Sequence, residues 1–235
     1  MKKVLAIFAK CPKPGATKTR LFPDTLELGA RVAEAFLLDT LERMSTLQVE
    51  RKLFYAPAES RDLFERLAGS VCQLEPQSPG DLGARLSAFF RQYLTGARAA
   101  CVAIGTDSPT LPVEYVAQAF ATLARRDVVL GPTADGGFYL LGLARFHKDL
   151  LSHIAWGTEH VLGQIASRIG SLGMKLSLLP VWYDVDTQSS WQMLAGHLTA
   201  LACAGDILPR HTAHLVVELS KSRQIYPGAG PSHAD

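Results

Sequence analysis

The chain has 235 residues, which is long enough for one sizeable α/β domain or two small ones. Of these residues 48% are hydrophobic and 20% charged, which is not the composition of a collagen, a coiled coil or a disordered chain. Its 24 Lys and Arg residues against 22 Asp and Glu residues give a net charge of +2, which implies no strong nucleic-acid-binding field. No apolar run reaches the roughly 18 to 20 residues of a membrane span. We therefore expect neither a nucleic-acid partner nor a membrane span.

The N-terminus and the cysteines indicate a cytoplasmic protein. The apolar run behind Lys2 and Lys3 is too short for a signal peptide, and a segment rich in Pro and Lys follows it instead of a small-residue cleavage site. The four cysteines are scattered and form no C-x-x-C pair. We expect free and mostly buried thiols rather than a zinc site or a disulfide framework.

Strand and helix patterns alternate along the chain, beginning with the β-forming run K-V-L-A-I-F-A and a long helix with apolar residues at helical spacing. The predicted strands are 3–9, 52–55, 70–74, 99–104, 127–131, 138–143 and 176–179. The predicted helices are 26–44, 61–67 with Ser60 as N-cap, 81–93, 112–123, 158–169, 188–202 and 211–221. This alternation predicts an α/β fold with a mostly parallel central sheet and helices on both of its faces.

The chain is predicted to form a single domain. No linker rich in Ser or Gly divides it and no internal repeat is visible, so we assign residues 1–204 to one domain. Residues 205–235 have the composition of an appendage, with one further helix and a tail from Pro227 that we expect to be disordered.

The segment after the first strand is rich in cations. Lys10, Lys13, Lys18 and Arg20 lie within F-A-K-C-P-K-P-G-A-T-K-T-R-L, where two prolines and a glycine constrain the loop. Ligands of open α/β sheets bind beyond the carboxyl ends of strands, and Lys and Arg there can neutralise a polyphosphate. The spacing matches neither a Walker A loop nor G-x-G-x-x-G. We predict that this loop binds phosphate; a solvated basic loop is the alternative.

Two aspartates follow predicted strands at positions suited to a divalent cation. Asp107, in G-T-D-S-P-T-L-P, comes after the strand 99–104, and Asp186, in Y-D-V-D-T, follows the last strand. Mg²⁺ and Mn²⁺ take one or two protein carboxylates together with ligand phosphates. For each aspartate the alternative is a helix cap or turn, and Asp184 and Asp186 would point to opposite sides of an extended backbone. Together, Asp107 and Asp186 predict a shared metal ion.

Three further motifs are predicted to line the same pocket. In G-P-T-A-D-G-G-F-Y the backbone could approach a ligand closely while Asp135 bonds to its hydroxyl groups. Asp-Gly also predicts a hairpin turn, and the two interpretations are compatible. The stretches G-D-L-G-A-R and W-G-T could equally be a helix start and a capped helix with a buried Trp. The predicted substrate contacts are Asp135, Gly136, Gly137, Trp156, Gly157 and Thr158.

In combination, these motifs resemble a known family. The matching segments are F-A-K-x-P-x-P-G-x-x-K-T-R-L, G-D-L-G-x-R, G-T-D-S-P-T-L-P, G-P-x-x-D-G-G-F-Y-L-L-G-L, W-G-T and D-V-D-T, which run in order through residues 3–202. The chain resembles the bacterial glycosyltransferases of the radical-SAM/selenodomain-associated transferase 1 type, formerly a domain of unknown function. Phe138 stands where Tyr is usual, and residues 188–190 replace a more acidic stretch. The resemblance implies a GT-A-like, three-layer nucleotide-diphospho-sugar transferase fold, in a superfamily that also contains nucleotidyltransferases.

The resemblance also implies roles for particular residues. Lys10, Lys18 and Arg20 fall on phosphate-contact positions, Asp107 falls on the first metal position and Asp186 on the second. The full set of predicted nucleotide contacts is Ala9, Lys10, Pro14, Gly15, Lys18, Arg20, Asp81, Arg85, Thr106 and Asp107.

The expected function is Mg²⁺- or Mn²⁺-dependent transfer of a glycosyl group from a nucleotide sugar to a small-molecule acceptor. The predicted catalytic residues are Asp107 at the metal, Lys18 and Arg20 at the developing charge, and Asp135 at the hydroxyl groups. One alternative is nucleotidyl transfer from a nucleoside triphosphate to a phosphorylated acceptor, with release of pyrophosphate. The other is a nucleotide-binding protein without catalytic activity.

Overall fold

One seven-stranded sheet organises residues 2–95 and 99–225, which are the residues that the computed structural model describes. Its strands are β1 (Lys2–Lys10), β2 (Glu50–Ala56), β3 (Gln73–Pro76), β4 (Ala99–Ile104), β5 (Val128–Pro132), β6 (Phe138–Leu143) and β7 (Leu176–Leu178). The order across the sheet is β3-β2-β1-β4-β6-β5-β7. Strand β6 runs antiparallel to its neighbours β4 and β5, and the other pairs are parallel. The predicted α/β fold with a mostly parallel sheet is confirmed.

Helices cover both faces of this sheet. They are α1 (Leu26–Met44), α2 (Arg61–Ala68), α3 (Leu82–Tyr93), α4 (Val113–Thr122), α5 (Val161–Ser171), α6 (Gln188–Ala204) and α7 (Arg210–Ile225), with a 3₁₀ turn at Ala58–Ser60. Because side chains alternate along a strand, Leu5 and Ile7 of β1 belong to a core with α1, α2 and α4, whereas Val4 and Ala6 belong to one with α3 and α5. None of the helices in the described ranges is both long and apolar enough to cross a membrane.

The predicted bounds of α1, β4 and β6 agree with the structure at both ends. The third strand is predicted at 70–74, but β3 begins later because its register against β2 pairs Gln73 with Lys52 and leaves residues 70–72 in a bend. Helix α5 also begins later than predicted. The hydroxyl of Thr158 donates to the carbonyl oxygen of Ala155 in a turn that precedes the helix.

Two predicted helix starts differ from the structure in their capping. Ser60 precedes α2, but its buried hydroxyl has no hydrogen-bond partner among the described residues and caps nothing. Pro112 stands just before α4 rather than in its first turn, with the extended backbone that suits a proline there. At α6, Thr187 is the N-cap and forms a capping box with Ser190, so the turn after Asp186 is fixed by hydroxyl groups.

Helix α7 packs against α1 and α6 through an apolar cluster that includes Trp191 and Leu215. Asp39 of α1, only 1% exposed, anchors it. The Asp39 carboxylate accepts hydrogen bonds from the backbone N–H of His211 at 3.0 Å, from that of Thr212 at 2.8 Å and from the Thr212 hydroxyl at 2.6 Å. It thereby satisfies N–H groups that a helix start leaves without partners. The predicted disordered tail from Pro227 lies outside the described residues.

The four cysteines are free thiols, as the sequence predicts. Cys11 and Cys101 are buried, Cys72 is partly buried and Cys203 is exposed. Burial raises the pKa of the Cys101 thiol to about 12 and that of Cys72 to about 11, so both are thiols rather than thiolates at neutral pH.

The anchoring of α7 can be tested with two carboxylates of α1. We expect Asp39→Ala to lower the free energy of unfolding by about 3 kcal/mol, because it leaves buried donors without an acceptor. Glu42 instead forms an exposed ion pair with Arg210 at 2.8 Å, so Glu42→Ala should cost less than about 1 kcal/mol. Urea unfolding of both variants and the parent chain measures the difference. Equal losses would contradict the assigned role of Asp39.

Candidate functional site

The chain reverses its direction across the sheet between β1 and β4. From β1 it continues to β2 and β3 on one side, whereas β4 adds on the other side of β1. Such a switch point leaves a crevice at the carboxyl ends of the strands. Here it is a cleft of about 610 Å³, lined by the end of β1, the loop 16–20, the segment 104–108 after β4, the start of β6, and Asp184 and Asp186.

A buried ammonium group joins three segments on the side of the cleft nearest α1. Lys18 Nζ lies 2.5 Å from Asp107 Oδ1 and 2.8 Å from Asp186 Oδ1, and it donates to the carbonyl oxygen of Val185 at 2.7 Å. The Lys18 side chain is 5% exposed, while those of Asp107 and Asp186 are 49% and 50% exposed. The ammonium also lies 5.1 Å from the centre of the Phe36 ring. The two predicted metal ligands are therefore brought together, with a lysine between them.

The local backbone explains how Lys18 reaches this position. Its φ of +53° is left-handed, a conformation that residues other than Gly and Asn rarely adopt. The loop packs directly on α1 at Gly29, where a Cβ atom would lie 3.0 Å from the Thr17 carbonyl oxygen and 3.2 Å from that of Lys18. On the other side, the N–H of Val185 donates to the Asp107 carbonyl oxygen at 2.9 Å, which holds the two acidic segments side by side.

Charges in this region shift two pKa values. Burial alone would lower the pKa of the Lys18 ammonium, but the Asp107 and Asp186 carboxylates outweigh burial and raise that pKa. Burial raises the pKa of the Asp184 carboxyl to about 7; a hydrogen bond from the Ser108 hydroxyl opposes the shift, and the charges of Asp107, Asp186 and Asp135 add to it. That hydrogen bond joins Ser108 Oγ to Asp184 Oδ1 at 2.5 Å. Three carboxylates therefore act on the carboxyl of Asp184.

The remaining cations of the first loop differ in position. The side chains of Lys10 and Arg20 are exposed, line the cleft and have no hydrogen-bond or ion-pair partner among the described residues. Lys13 is exposed and does not line the cleft. The predicted nucleotide contacts that line the cleft are Ala9, Lys10, Lys18, Arg20, Asp81, Arg85, Thr106 and Asp107, whereas Pro14 and Gly15 do not. Lys10 and Arg20 are therefore the loop cations that can meet an anion without first breaking an ion pair.

The opposite wall contains a residue that the sequence reading missed. Gln77 follows β3, and its Nε2 donates to the carbonyl oxygens of Ala9 at 3.0 Å and Phe54 at 2.8 Å. Its Oε1 accepts from Arg85 NH1 at 2.8 Å, and Arg85 Nε donates to the Gly80 carbonyl oxygen at 2.9 Å. Gln77 thus links the ends of β1 and β2 to α3. The only available sequence signal was a polar residue directly after a predicted strand.

The Asp-Gly-Gly segment forms the hairpin turn between β5 and β6, which confirms one of the two readings. Asp135 Oδ1 accepts from the Thr133 hydroxyl at 2.5 Å and from the Gly137 N–H at 3.1 Å. Gly136 has a φ of +88°, and a Cβ atom there would lie 2.2 Å from the Glu159 carbonyl oxygen. Asp135, Gly136 and Gly137 flank the cleft without lining it, and the substrate role of these residues stays a prediction.

The G-D-L-G and W-G-T stretches meet each other. The Trp156 indole lies on Gly83, where a Cβ atom would be 2.6 Å from Nε1, and its ring packs edge-on against Phe138, which lines the cleft. Gly157 adopts a φ of +80°, and neither it nor Thr158 lines the cleft. Trp156 therefore supports the apolar wall from behind.

Another group with metal-ligand chemistry lies away from the cleft. One ligand atom each of Asp39, Glu42 and His211 lie within 4.8 Å of one another. The Asp39 carboxylate, however, is committed to the first turn of α7, and Glu42 pairs with Arg210. These partners account for the cluster as a structural contact between α1 and α7.

The packing of Trp156 on α3 can be tested with two helix-start glycines. Gly83→Ala should lower the free energy of unfolding by about 1 to 3 kcal/mol, because the added methyl group displaces the indole. The tryptophan emission spectrum should change with it. Gly163→Ala is the matched control, since nothing lies within 4 Å of its added Cβ, and it should be neutral or stabilising. Unchanged emission in Gly83→Ala would contradict the contact.

Several solved structures have an architecture similar to that of this chain. Over 96% of this chain and 99% of the other, it is similar to a crystal structure from Desulfovibrio desulfuricans G20, provisionally named a nucleotide-diphospho-sugar transferase, at 26% identity and a TM-score of 0.86. The 4-diphosphocytidyl-2C-methyl-D-erythritol synthase of Anaerococcus prevotii DSM 20548 matches at 11% identity, 84% and 99% coverage and a TM-score of 0.56. CMP:2-keto-3-deoxy-manno-octonic acid synthetase in complex with CTP matches at 11% identity, 85% and 99% coverage and a TM-score of 0.54. The last two show the fold alone, and together the three confirm the predicted GT-A-like fold.

Sequence comparison assigns the family. No curated protein matches the chain. A family profile described as "uncharacterized protein conserved in bacteria (DUF2064)" matches residues 37–158, which include α3, β4 with Asp107, and the hairpin at Asp135. Because that match spans more than half of the 235 residues, this chain belongs to the DUF2064 family.

Proposed function

We propose that this chain is a metal-dependent transferase that moves a sugar from a nucleotide-diphospho-sugar to a small acceptor. One observation carries the proposal: Asp107 and Asp186 converge at a switch-point cleft beside two unpaired cations, Lys10 and Arg20. A diphosphate needs both parts, a carboxylate-held divalent cation and side-chain cations. The name of the similar Desulfovibrio protein and the fold it shares with this chain support the same class.

The donor set fits a hard divalent cation. Asp107 Oδ1 and Asp186 Oδ1 both lie within 2.8 Å of a single atom, Lys18 Nζ, so the two oxygens face one point. Carboxylate oxygens are the ligands that Mg²⁺ and Mn²⁺ prefer. Asp107 and Asp186 would hold such a cation, which would supply the positive charge that stabilises a departing nucleoside diphosphate.

In this proposal, different side chains along the cleft contact different parts of the nucleotide. Arg20 presents a planar fork that can take two phosphate oxygens, and Lys10 adds a point charge at the end of β1. Gln77 and Arg85, tied to each other across the opposite wall, lie where the rest of the nucleotide would extend.

The charge on the acceptor side favours sugar transfer over nucleotidyl transfer. The hairpin side of the cleft is formed by Phe138 and Tyr139, and the carboxyls of Asp135 and Asp184 lie near it. The described cleft-lining cations lie instead on the first loop and on α3. A phosphorylated acceptor needs cations, whereas a sugar or neutral hydroxyl acceptor is suited to a carboxylate that accepts its hydrogen bonds. In this proposal Asp135 orients such hydroxyl groups, with Gly136, Gly137 and the Trp156–Thr158 turn beside it.

Phosphate binding by the first loop can be tested with two of its cations. Arg20→Lys should weaken binding of nucleoside diphosphate with Mg²⁺ about tenfold, because a lysine cannot form the paired contacts of a guanidinium. Lys13→Ala should change the affinity less than about twofold, since Lys13 does not line the cleft. Isothermal titration with UDP, GDP, ADP and CDP measures both. Equally small effects of the two changes would favour a solvated basic loop.

The reaction products distinguish the two enzyme classes. We expect metal-dependent release of nucleoside diphosphate from at least one nucleotide-diphospho-sugar in a panel with UDP, GDP and ADP bases, with water as a poor acceptor. We expect no pyrophosphate from nucleoside triphosphates mixed with sugar phosphates. Asp135→Asn, which keeps the Oδ1 acceptor of the turn, should lower the release more than it lowers diphosphate binding.

Asp206→Asn, at an exposed residue outside the cleft, is the matched control and should leave the rate unchanged. Formation of pyrophosphate with any phosphorylated acceptor would show that the enzyme catalyses nucleotidyl transfer and not sugar transfer. Tight nucleotide binding with neither product would instead indicate a nucleotide-binding protein without catalytic activity.

A further inference from the structure

The position of Lys18 poses a problem for any bound metal. Its ammonium lies at the point that the Asp107 and Asp186 oxygens both face, at 2.5 and 2.8 Å. A magnesium ion would need those same oxygens at roughly 2.0 to 2.1 Å. Two cations cannot share this point, because their repulsion is poorly screened around a side chain that is 5% exposed.

The lysine is also held at a cost to the backbone. Lys18 has a φ of +53°, a conformation that glycine adopts freely and a lysine does not. Such outliers persist where the surroundings over-determine them, and they concentrate at functional sites. Here the contacts that fix the side chain are the two carboxylates and the carbonyl oxygen of Val185.

We propose that Lys18 is an internal counter-cation that a divalent metal displaces, and that the displaced ammonium then pairs with the phosphates of the nucleotide. This inference rests on the proposed metal and nucleotide site, but not on which bond the enzyme breaks. Two cations thus exchange roles: the metal takes the carboxylates, and Lys18 takes a phosphate.

The surroundings of Lys18 suit that second position. Thr17 and Thr19 on either side of it line the cleft, as do Lys10 and Arg20. The Thr17 hydroxyl is buried and has no hydrogen-bond partner in the described part of the chain, so a phosphate oxygen would supply the acceptor it lacks. Because Lys18 itself lines the cleft, its ammonium would remain there after leaving the carboxylates.

The consequence is positive coupling between metal and nucleotide. When the metal binds alone, the Lys18 ammonium loses its carboxylate partners and gains no phosphate. When the nucleotide binds alone, the ammonium has to leave the carboxylates to reach a phosphate. Each ligand by itself therefore binds at a cost. When both bind, each ion finds a partner, so each ligand should raise the affinity for the other by the same factor.

Metal binding without nucleotide tests the displacement directly. Mn²⁺ titrations followed by electron paramagnetic resonance should give Lys18→Met at least a tenfold higher affinity than the parent chain. Lys13→Met removes the same charge from the same loop, at an exposed residue that does not line the cleft, and should change the affinity less than threefold. Unchanged or weaker Mn²⁺ binding by folded Lys18→Met would overturn the proposal.

The parent chain provides a second measurement that does not depend on the folding of a variant. Acetylation of individual lysines by a water-soluble N-hydroxysuccinimide ester should be slow at Lys18 and should become severalfold faster with millimolar Mn²⁺, relative to exposed Lys13. A rate at Lys18 that stays constant or falls with Mn²⁺ would contradict displacement.

The coupling is tested with pyrophosphate as a minimal polyphosphate. For each chain, the Mn²⁺ affinity with pyrophosphate is divided by the Mn²⁺ affinity without it. This ratio should be at least fivefold smaller in Lys18→Met than in the parent chain. Chelation of Mn²⁺ by free pyrophosphate affects both chains equally and therefore does not change the comparison. An equal ratio in the two chains would show that Lys18 does not contribute to the coupling between metal and nucleotide. None of these readouts requires turnover, so a failed transfer assay and a failed displacement give different results.

Discussion

The site depends on one buried ammonium group with three acceptors. Lys18 holds together the loop after β1, the segment after β4 and the segment after β7, and its partner Val185 is 167 residues away in sequence. Without a cation at this point, Asp107 and Asp186 would repel each other beside Asp184, whose carboxyl already has a pKa of about 7. The geometry of the cleft therefore depends on the attraction between Lys18 and the two aspartates, while packing of the sheet and helices positions the segments that carry them.

That framework is the adjacency of β1 and β4. Their register pairs Ile7 with Ile104, so both chains leave the sheet side by side and their loops face the same cleft. The side chains of both strands along this pairing are mostly buried and aliphatic, as is typical of parallel strands covered on both faces. Helix α1 then supports the first loop through Gly29, and α7 is anchored to α1 at Asp39.

The sequence was most informative where local signals dominate. The bounds of α1, β4 and β6 were predictable from their apolar patterns, and Asp107 and Asp186 from their place after strands. The pairing of Lys18 was not, because a motif shows that a loop is basic but not which distant carboxylate its side chain meets. Gln77 was missed for a similar reason: it bonds to backbone carbonyls of β1 and β2, and such contacts leave no residue pattern. The Trp156 contact explains Gly83 only once both are seen in space.

The reversed direction of β6 has a consequence for how the cleft can vary. A parallel strand would reach this position only after a helical crossover, whereas β6 follows β5 through a hairpin turn over residues 133–137. Its amino end, rather than its carboxyl end, faces the cleft, and the turn is held by Asp135 and by close packing on Glu159. The two sides of the cleft therefore differ in how they are built: the first side is a long connection between β1 and α1 that packs on α1 at Gly29, while the hairpin side is a short turn fixed by strands at both of its ends. Variation on the hairpin side of the cleft would accordingly have to arise by side-chain replacement on a fixed turn, not by lengthening a loop.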